Sequence, residues 1–118
     1  MKTITTIAER LVTLLKEQQF VTAYEELYSE NATSIDPMHP QAPPNEGLAV
    51  LIEREKAFLR RVIMHSVEVS APIYGDTHFA ISLLLDLTIE GLDKKVKELC
   101  VYGVRDGKIV SQQFFMNV

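Results

Sequence analysis

Apolar residues in the first third of the chain recur every three or four positions. Ile4, Ile7, Leu11, Leu14 and Leu15, widened by Ala8 and Val12, predict an amphipathic helix over Thr3–Gln18. Thr6 with Glu9 has the spacing of a capping box, and Thr3 is an equally good start. The polar stretch Glu17-Gln18-Gln19 interrupts the stripe. Phe20, Ala23, Tyr24 and Leu27 resume it on a shifted face, which predicts a second, short helix set at an angle and fraying out near Ser29-Glu30-Asn31. A brief β-like run ends at Asp36, and four of the five prolines follow between Pro37 and Pro44. Proline fixes φ and removes donors, so this stretch is a stiff, irregular loop. His39, between two of those prolines, is expected to be exposed and idle.

A third helix follows from about 47 to 62, with Leu48, Leu51, Ile52, Glu55, Phe58, Leu59 and Val62 on its inner stripe. The charged run Glu53-Arg54-Glu55-Lys56 nevertheless reads as a solvated face with modest i,i+4 pairing.

At Ile63 the period changes to two. Ile63, His65, Val67 and Val69 alternate with Met64, Ser66, Glu68 and Ser70, and Gly75-Asp76 marks a hairpin. Phe79, Ile81, Leu83, Leu85, Leu87 and Ile89 make one wholly apolar face of the longest strand. Its other face is mixed, as in the middle of a half-covered antiparallel sheet. The chain turns at Glu90-Gly91-Leu92-Asp93. Val96, Glu98, Cys100, Tyr102 and Val104 then share a face, and Asp106-Gly107 signals the last hairpin. Helices first and a meander afterwards predict an α+β domain. Its curved antiparallel sheet packs on three N-terminal helices and encloses a cone in which a small-molecule pocket forms.

Composition narrows the function classes. A chain of 118 residues is a single domain, 1–118, and buries roughly two thirds of its unfolded surface. A net charge of −4 with scattered basic residues argues against nucleic acid as a partner. No apolar run approaches the roughly 20 residues that span a bilayer, and the N-terminus lacks a signal-peptide core, so a membrane partner is not expected. The single cysteine, Cys100, fits a reducing, cytoplasmic setting. Neither cofactor nor metal is expected, because no Cys or His lies at ligand spacing.

The order of elements, with Leu27-Tyr28, Ala32-Thr33-Ser34-Ile35-Asp36-Pro37, Gly47 and Val104-Arg105-Asp106-Gly107-Lys108-Ile109-Val110, resembles the nuclear transport factor 2-like superfamily. This group, of cystatin-like fold, includes ketosteroid isomerases and SnoaL-like polyketide cyclases. The resemblance spans nearly the whole chain. It implies a base at Asp36, in Ile35-Asp36-Pro37. The tyrosine and protonated acid that stabilise the isomerase's dienolate fall on or beside Leu11 and on Cys100, so that oxyanion hole is missing and steroid isomerisation by that route is not expected.

The resemblance also implies which sheet face lines the cavity. With Cys100 inward, Val96, Glu98, Tyr102 and Val104 follow. A three-residue Arg105-Asp106-Gly107 loop with a bulge adds Val110, Gln112, Phe114 and Met116, whereas a strict two-residue turn pairs Cys100 with Gln113. Leu99, Val101, Ile109 and Phe115 then form an apolar outer face that calls for a homodimer.

The candidate pocket therefore comprises Tyr24, Leu85, Leu87, Glu98, Cys100, Tyr102, Gln112 and Phe114, with Asp36 and His65 as catalytic candidates. Asp36 reads either as a turn acceptor or as a general base with its pKa raised by apolar surroundings. His65 reads as a bonded core histidine or an assisting group, and an inward Glu98 needs a partner or a proton. Cys100 reads as an inert buried thiol. Two functions stay open. One is a SnoaL-like enzyme doing proton-transfer, isomerase or cyclase chemistry on a small hydrophobic molecule. The other is a non-catalytic ligand-binding or dimeric interaction module.

Overall fold

Thr3 starts the first helix by accepting the Thr6 amide on its hydroxyl at 3.1 Å in the computed structural model, which describes residues 2–116. Helix α1 (Ile4–Lys16) buries Ile7, Ala8, Leu11, Leu14 and Leu15. It ends with Gln18 at φ 59°, where the Gln18 amide reaches the Leu15 carbonyl and the Gln19 amide reaches that of Leu14. That left-handed cap satisfies two orphan carbonyls and swings the chain into α2 (Phe20–Leu27). The expected fraying beyond Leu27 does not occur. Strand β1 (Tyr28–Ile35) begins at once, because Tyr28 is already paired with Ile109.

After the proline loop, the short β2 (Asn45–Glu46) pairs back on β1, and Gly47 at φ 98° opens α3 (Leu48–Arg61). Strands β3 (Val62–Val69), β4 (Ile73–Tyr74), β5 (His78–Ile89), β6 (Leu92–Arg105) and β7 (Lys108–Met116) complete the chain. The sheet runs β2-β1-β7-β6-β5-β3, with β4 also on β5. It is open, and antiparallel throughout except that β1 lies parallel to β7. The three helices pack on the face formed by Phe79, Ile81, Leu83, Leu85 and Leu87, as the alternation of β5 predicts. Among the described residues no helix is long and apolar enough to cross a membrane.

Two single-residue bulges set which side chains face inward. In β3, Met64 pairs with Leu87 and Ser66 with Asp86, so His65 is an extra residue. The phase therefore flips midway. Val62, Met64, Val67 and Val69 are partly covered, while Ile63 and His65, expected beside Val67, are exposed. In the last hairpin, Asp106 (φ 52°) and Gly107 (φ 74°) make a two-residue turn pairing Arg105 with Lys108. The extra residue comes later, at Val110, between the Val104–Ile109 and Gly103–Ser111 pairs. Cys100 consequently pairs with Phe114, and Gln112 and Phe114 face inward as expected. Two positions of β7 differ. Ile109 is fully buried instead of lying on the outer face, and Val110 lines an outer hollow instead of the cone.

Candidate active site

Between the helices and the concave sheet lies a cavity of about 430 Å³. Leu11, Leu15, Ala23 and Phe58 wall it from the helices, and Leu83, Leu85, Leu87, Val96 and Phe114 from the sheet. This is within the usual size for a small-molecule site. Its floor is polar and hydrogen-bonded. Gln112, on β7 and buried, accepts the Tyr28 hydroxyl on Oε1 and donates its amide N–H groups to Tyr24 Oη (2.8 Å) and Ser34 Oγ (3.1 Å). Tyr24 and Tyr28 rest against each other with ring centroids 4.5 Å apart. Burial raises the pKa of both, so their hydroxyls stay protonated at any working pH. Tyr24 accepts from Gln112, and among the described residues its own proton is not engaged.

Two carboxyl groups enter this cavity from opposite walls. Glu55 lies one turn after buried Leu51 and one turn before Phe58, so helical spacing aims it inward. Glu98 shares the inward phase of Val96 and Tyr102 on β6, paired with Leu83 and Met116. Among the described residues neither acid forms an ion pair, and Glu55 accepts no hydrogen bond. Glu98 takes only a weak one from the Cys100 thiol, at 3.8 Å. Desolvation, and then the negative charge of Glu98, push the Glu55 carboxyl up to about 7. Burial raises Glu98 too, opposed in part by the Cys100 thiol. Two acids in one poorly solvated space resist being ionised together, and Glu55 is the one held up into the neutral range.

A family model of the SnoaL-like domain matches residues 2–116. The chain belongs to the SnoaL-like domain family. Solved structures of the same architecture include a candidate SnoaL-like polyketide cyclase of Mesorhizobium loti. It is 25% identical, with 96% of this chain and 98% of that one covered and a TM-score of 0.88. A Xanthomonas campestris protein with a cystatin-like fold is 19% identical over 100% and 92% of the two chains, at a TM-score of 0.80. A Catenulispora acidiphila protein with a ketosteroid isomerase-like fold is 14% identical over 98% and 86%, at 0.72. No curated protein matches the chain.

Within this SnoaL-like domain, Tyr24, Leu85, Leu87, Glu98, Tyr102, Gln112 and Phe114 all line the cavity. Cys100 does not: it is completely buried behind the wall, where burial and then Glu98 raise its thiol pKa and leave it unreactive. His65 is not in the cavity either, since the β3 bulge turns it to the outer surface. There Nε2 lies 2.7 Å from Thr88 Oγ1, which donates to Asp93 at 2.5 Å.

Asp36 reaches the cavity mouth, but its oxygens are already engaged. Oδ1 accepts the Met38 amide at 2.9 Å, and Oδ2 faces His39 Nδ1 at 3.3 Å and Arg54 at 3.6 Å. The Met38 amide first, then His39 and Arg54, hold its pKa below the ordinary value, the reverse of the raised pKa wanted for a base. His39, expected to be idle, is thus part of the Asp36 turn. Glu55 is the acid that sequence reasoning missed. Its place on the inner stripe was visible, but three charged neighbours made the run look solvated.

Asp36→Asn is expected to leave the fold intact, because the asparagine oxygen still accepts the Met38 amide. Losing the charge opposite His39 and Arg54 costs under about 1 kcal/mol at neutral pH. A depressed carboxylate pKa stabilises the fold above 3.8, the ordinary value, and that contribution fades as the wild type takes its proton below it. Thermal melts should therefore differ between wild type and variant more at about pH 7 than at about pH 3.

Proposed function

We propose that this SnoaL-like domain is an enzyme that moves a proton on a compact hydrophobic carbonyl compound held in its cavity. The reading is carried by one observation: two carboxyl groups, Glu55 from a helix and Glu98 from the sheet, face a single apolar cavity, and among the described residues no cation is paired to either. Glu55 serves as the base, its pKa of about 7 lying near the pH of use. It takes a proton from the carbon beside the carbonyl. The enolate oxygen accepts a hydrogen bond from the free Tyr24 hydroxyl, burial and the charge on Glu98 keep the Glu55 pKa high, and the proton then returns to the same or a neighbouring carbon. Apolar walls strengthen that hydrogen bond by excluding water. The Tyr24 hydroxyl, from α2, stands in for the donor missing at Leu11 on α1. Asp36 closes the mouth with Arg54 and is not the base.

Solvent-deuterium exchange into a panel of small cyclic and aryl ketones, followed by mass spectrometry, tests this proposal. Exchange above the buffer rate for at least one ketone, lost in Glu55→Gln, is the expected result. Ketones that bind without any exchange would leave a carrier and remove the enzyme.

A homodimer through the outer face of the sheet is the second part of the reading, on a separate observation. Leu99 and Phe115 are direct cross-strand partners and are 47% and 50% exposed. Together with Val101 they make an apolar strip on the side away from the helices. The double variant Leu99→Asp, Phe115→Asp should weaken self-association by about 3 kcal/mol or more, on the order of a hundredfold in Kd. Sedimentation velocity over a dilution series checks it, and an unchanged sedimentation coefficient would refute a dimer through this face.

A further inference from the structure

Gly103 is the single residue of β6 without a side chain, and two neighbours occupy the space this leaves. It pairs with His78 on one side and Ser111 on the other. A Cβ at this position would collide with Ser111 Oγ and lie 3.1 Å from His78 Nε2, so a hydroxyl and an imidazole converge over bare backbone. The imidazole is held in place. Its Nδ1 lies 2.8 Å from Thr77 Oγ1, the His78 carbonyl accepts the Gly75 amide, and the Thr77 carbonyl accepts the Val104 amide. With the Thr77 hydroxyl donating to Nδ1, the ring proton sits on Nε2 and points into the gap.

One step along the hairpin, Arg105 and Lys108 pair across the strands and frame the same outer hollow, of about 530 Å³. Among the described residues Asp106 is the one acid lining it, so the hollow is cationic on a chain whose net charge is −4. Among the described residues neither Arg105 nor Lys108 is ion-paired. None of the lining residues belongs to the acid-lined cavity, and the two spaces lie on opposite faces of the sheet.

We propose that this hollow is a binding site for a small oxyanion, the phosphate or carboxylate head group of a small molecule. The imidazole N–H and the Ser111 hydroxyl point at its oxygens, and Arg105 and Lys108 neutralise its charge. Convergent neutral donors bond its oxygens, and the paired cations supply the attraction.

The test is an NMR titration of the full chain with inorganic phosphate, and separately with acetate, at constant pH and ionic strength. His39 and His65 lie elsewhere and serve as internal references. The expected result is a saturable shift of the His78 ring signals alone with at least one of the two anions, the tighter binder naming the head group. Arg105→Ala with Lys108→Ala should weaken that binding at least tenfold, while Glu55→Gln leaves it unchanged. Shifts of equal size at all three histidines, no saturation with either anion, or wild-type affinity in the double variant would overturn the site.

Discussion

Glu55→Gln is expected to lower any proton-transfer rate by about two to four orders of magnitude, the usual contribution of a positioned base. The inflection near pH 7 in the rate profile should go with it, because glutamine does not titrate. The same substitution has a second, opposite effect on stability. Below 4.5 the carboxyl is protonated whether the chain is folded or not, and burial carries no charge penalty. As the pH rises, the unfolded chain ionises at its ordinary value while the folded carboxyl resists until about 7, so the fold loses stability across that window. The difference is about 3 kcal/mol at its largest. Glutamine escapes the loss. Wild type and variant should therefore melt together at about pH 4, and the variant should melt higher at about pH 8. A variant that is less stable at the higher pH would show that Glu55 has a partner in solution and is not an uncompensated acid.

Gln112→Leu should be the most damaging single change to the fold outside the apolar core. Three hydrogen bonds converge on that carboxamide, from Tyr28 and to Tyr24 and Ser34, and both tyrosines are buried. Leucine fills the volume but leaves the Tyr28 hydroxyl proton without an acceptor, at a cost of about 2–4 kcal/mol. For a chain of this size that is a fall in Tm of about 10 °C. Tyr28→Phe in the Gln112→Leu background should recover part of the loss, since the orphaned hydroxyl is then removed. Simple additivity of the two changes would mean that the bond contributes nothing of its own.

Much of this architecture was readable from spacing, and the exceptions have physical causes. Strand β5 alternates through twelve residues without a break, so its buried face could be named position by position. Strand β3 has the same alternation in sequence, yet one unpaired residue at His65 reverses the phase, and no local preference announces it. Glu98 and Tyr102 line the cavity in phase with Val96, an alternation visible in the sequence. Glu55 was obscured because a run of charges looks solvated unless the helix's depth in the fold is known. Asp36 stands at the predicted seam, but the groups that decide its character include Arg54, 18 positions away and brought near only by the fold.

The last strand carries its own ambiguity. Gln112-Gln113 is followed by Phe114-Phe115, so a slip of one position would again direct a glutamine and a phenylalanine inward. Side-chain identity in that doublet therefore discriminates poorly between the two pairings, and the choice falls to the bulge at Val110. Without the bulge, Val110 would stand opposite Gly103, where Ser111 now fits, and the inward glutamine would move from Tyr102 to Cys100. The closing strand thus holds two near-equivalent alignments, and the tyrosine pair is served by only one of them.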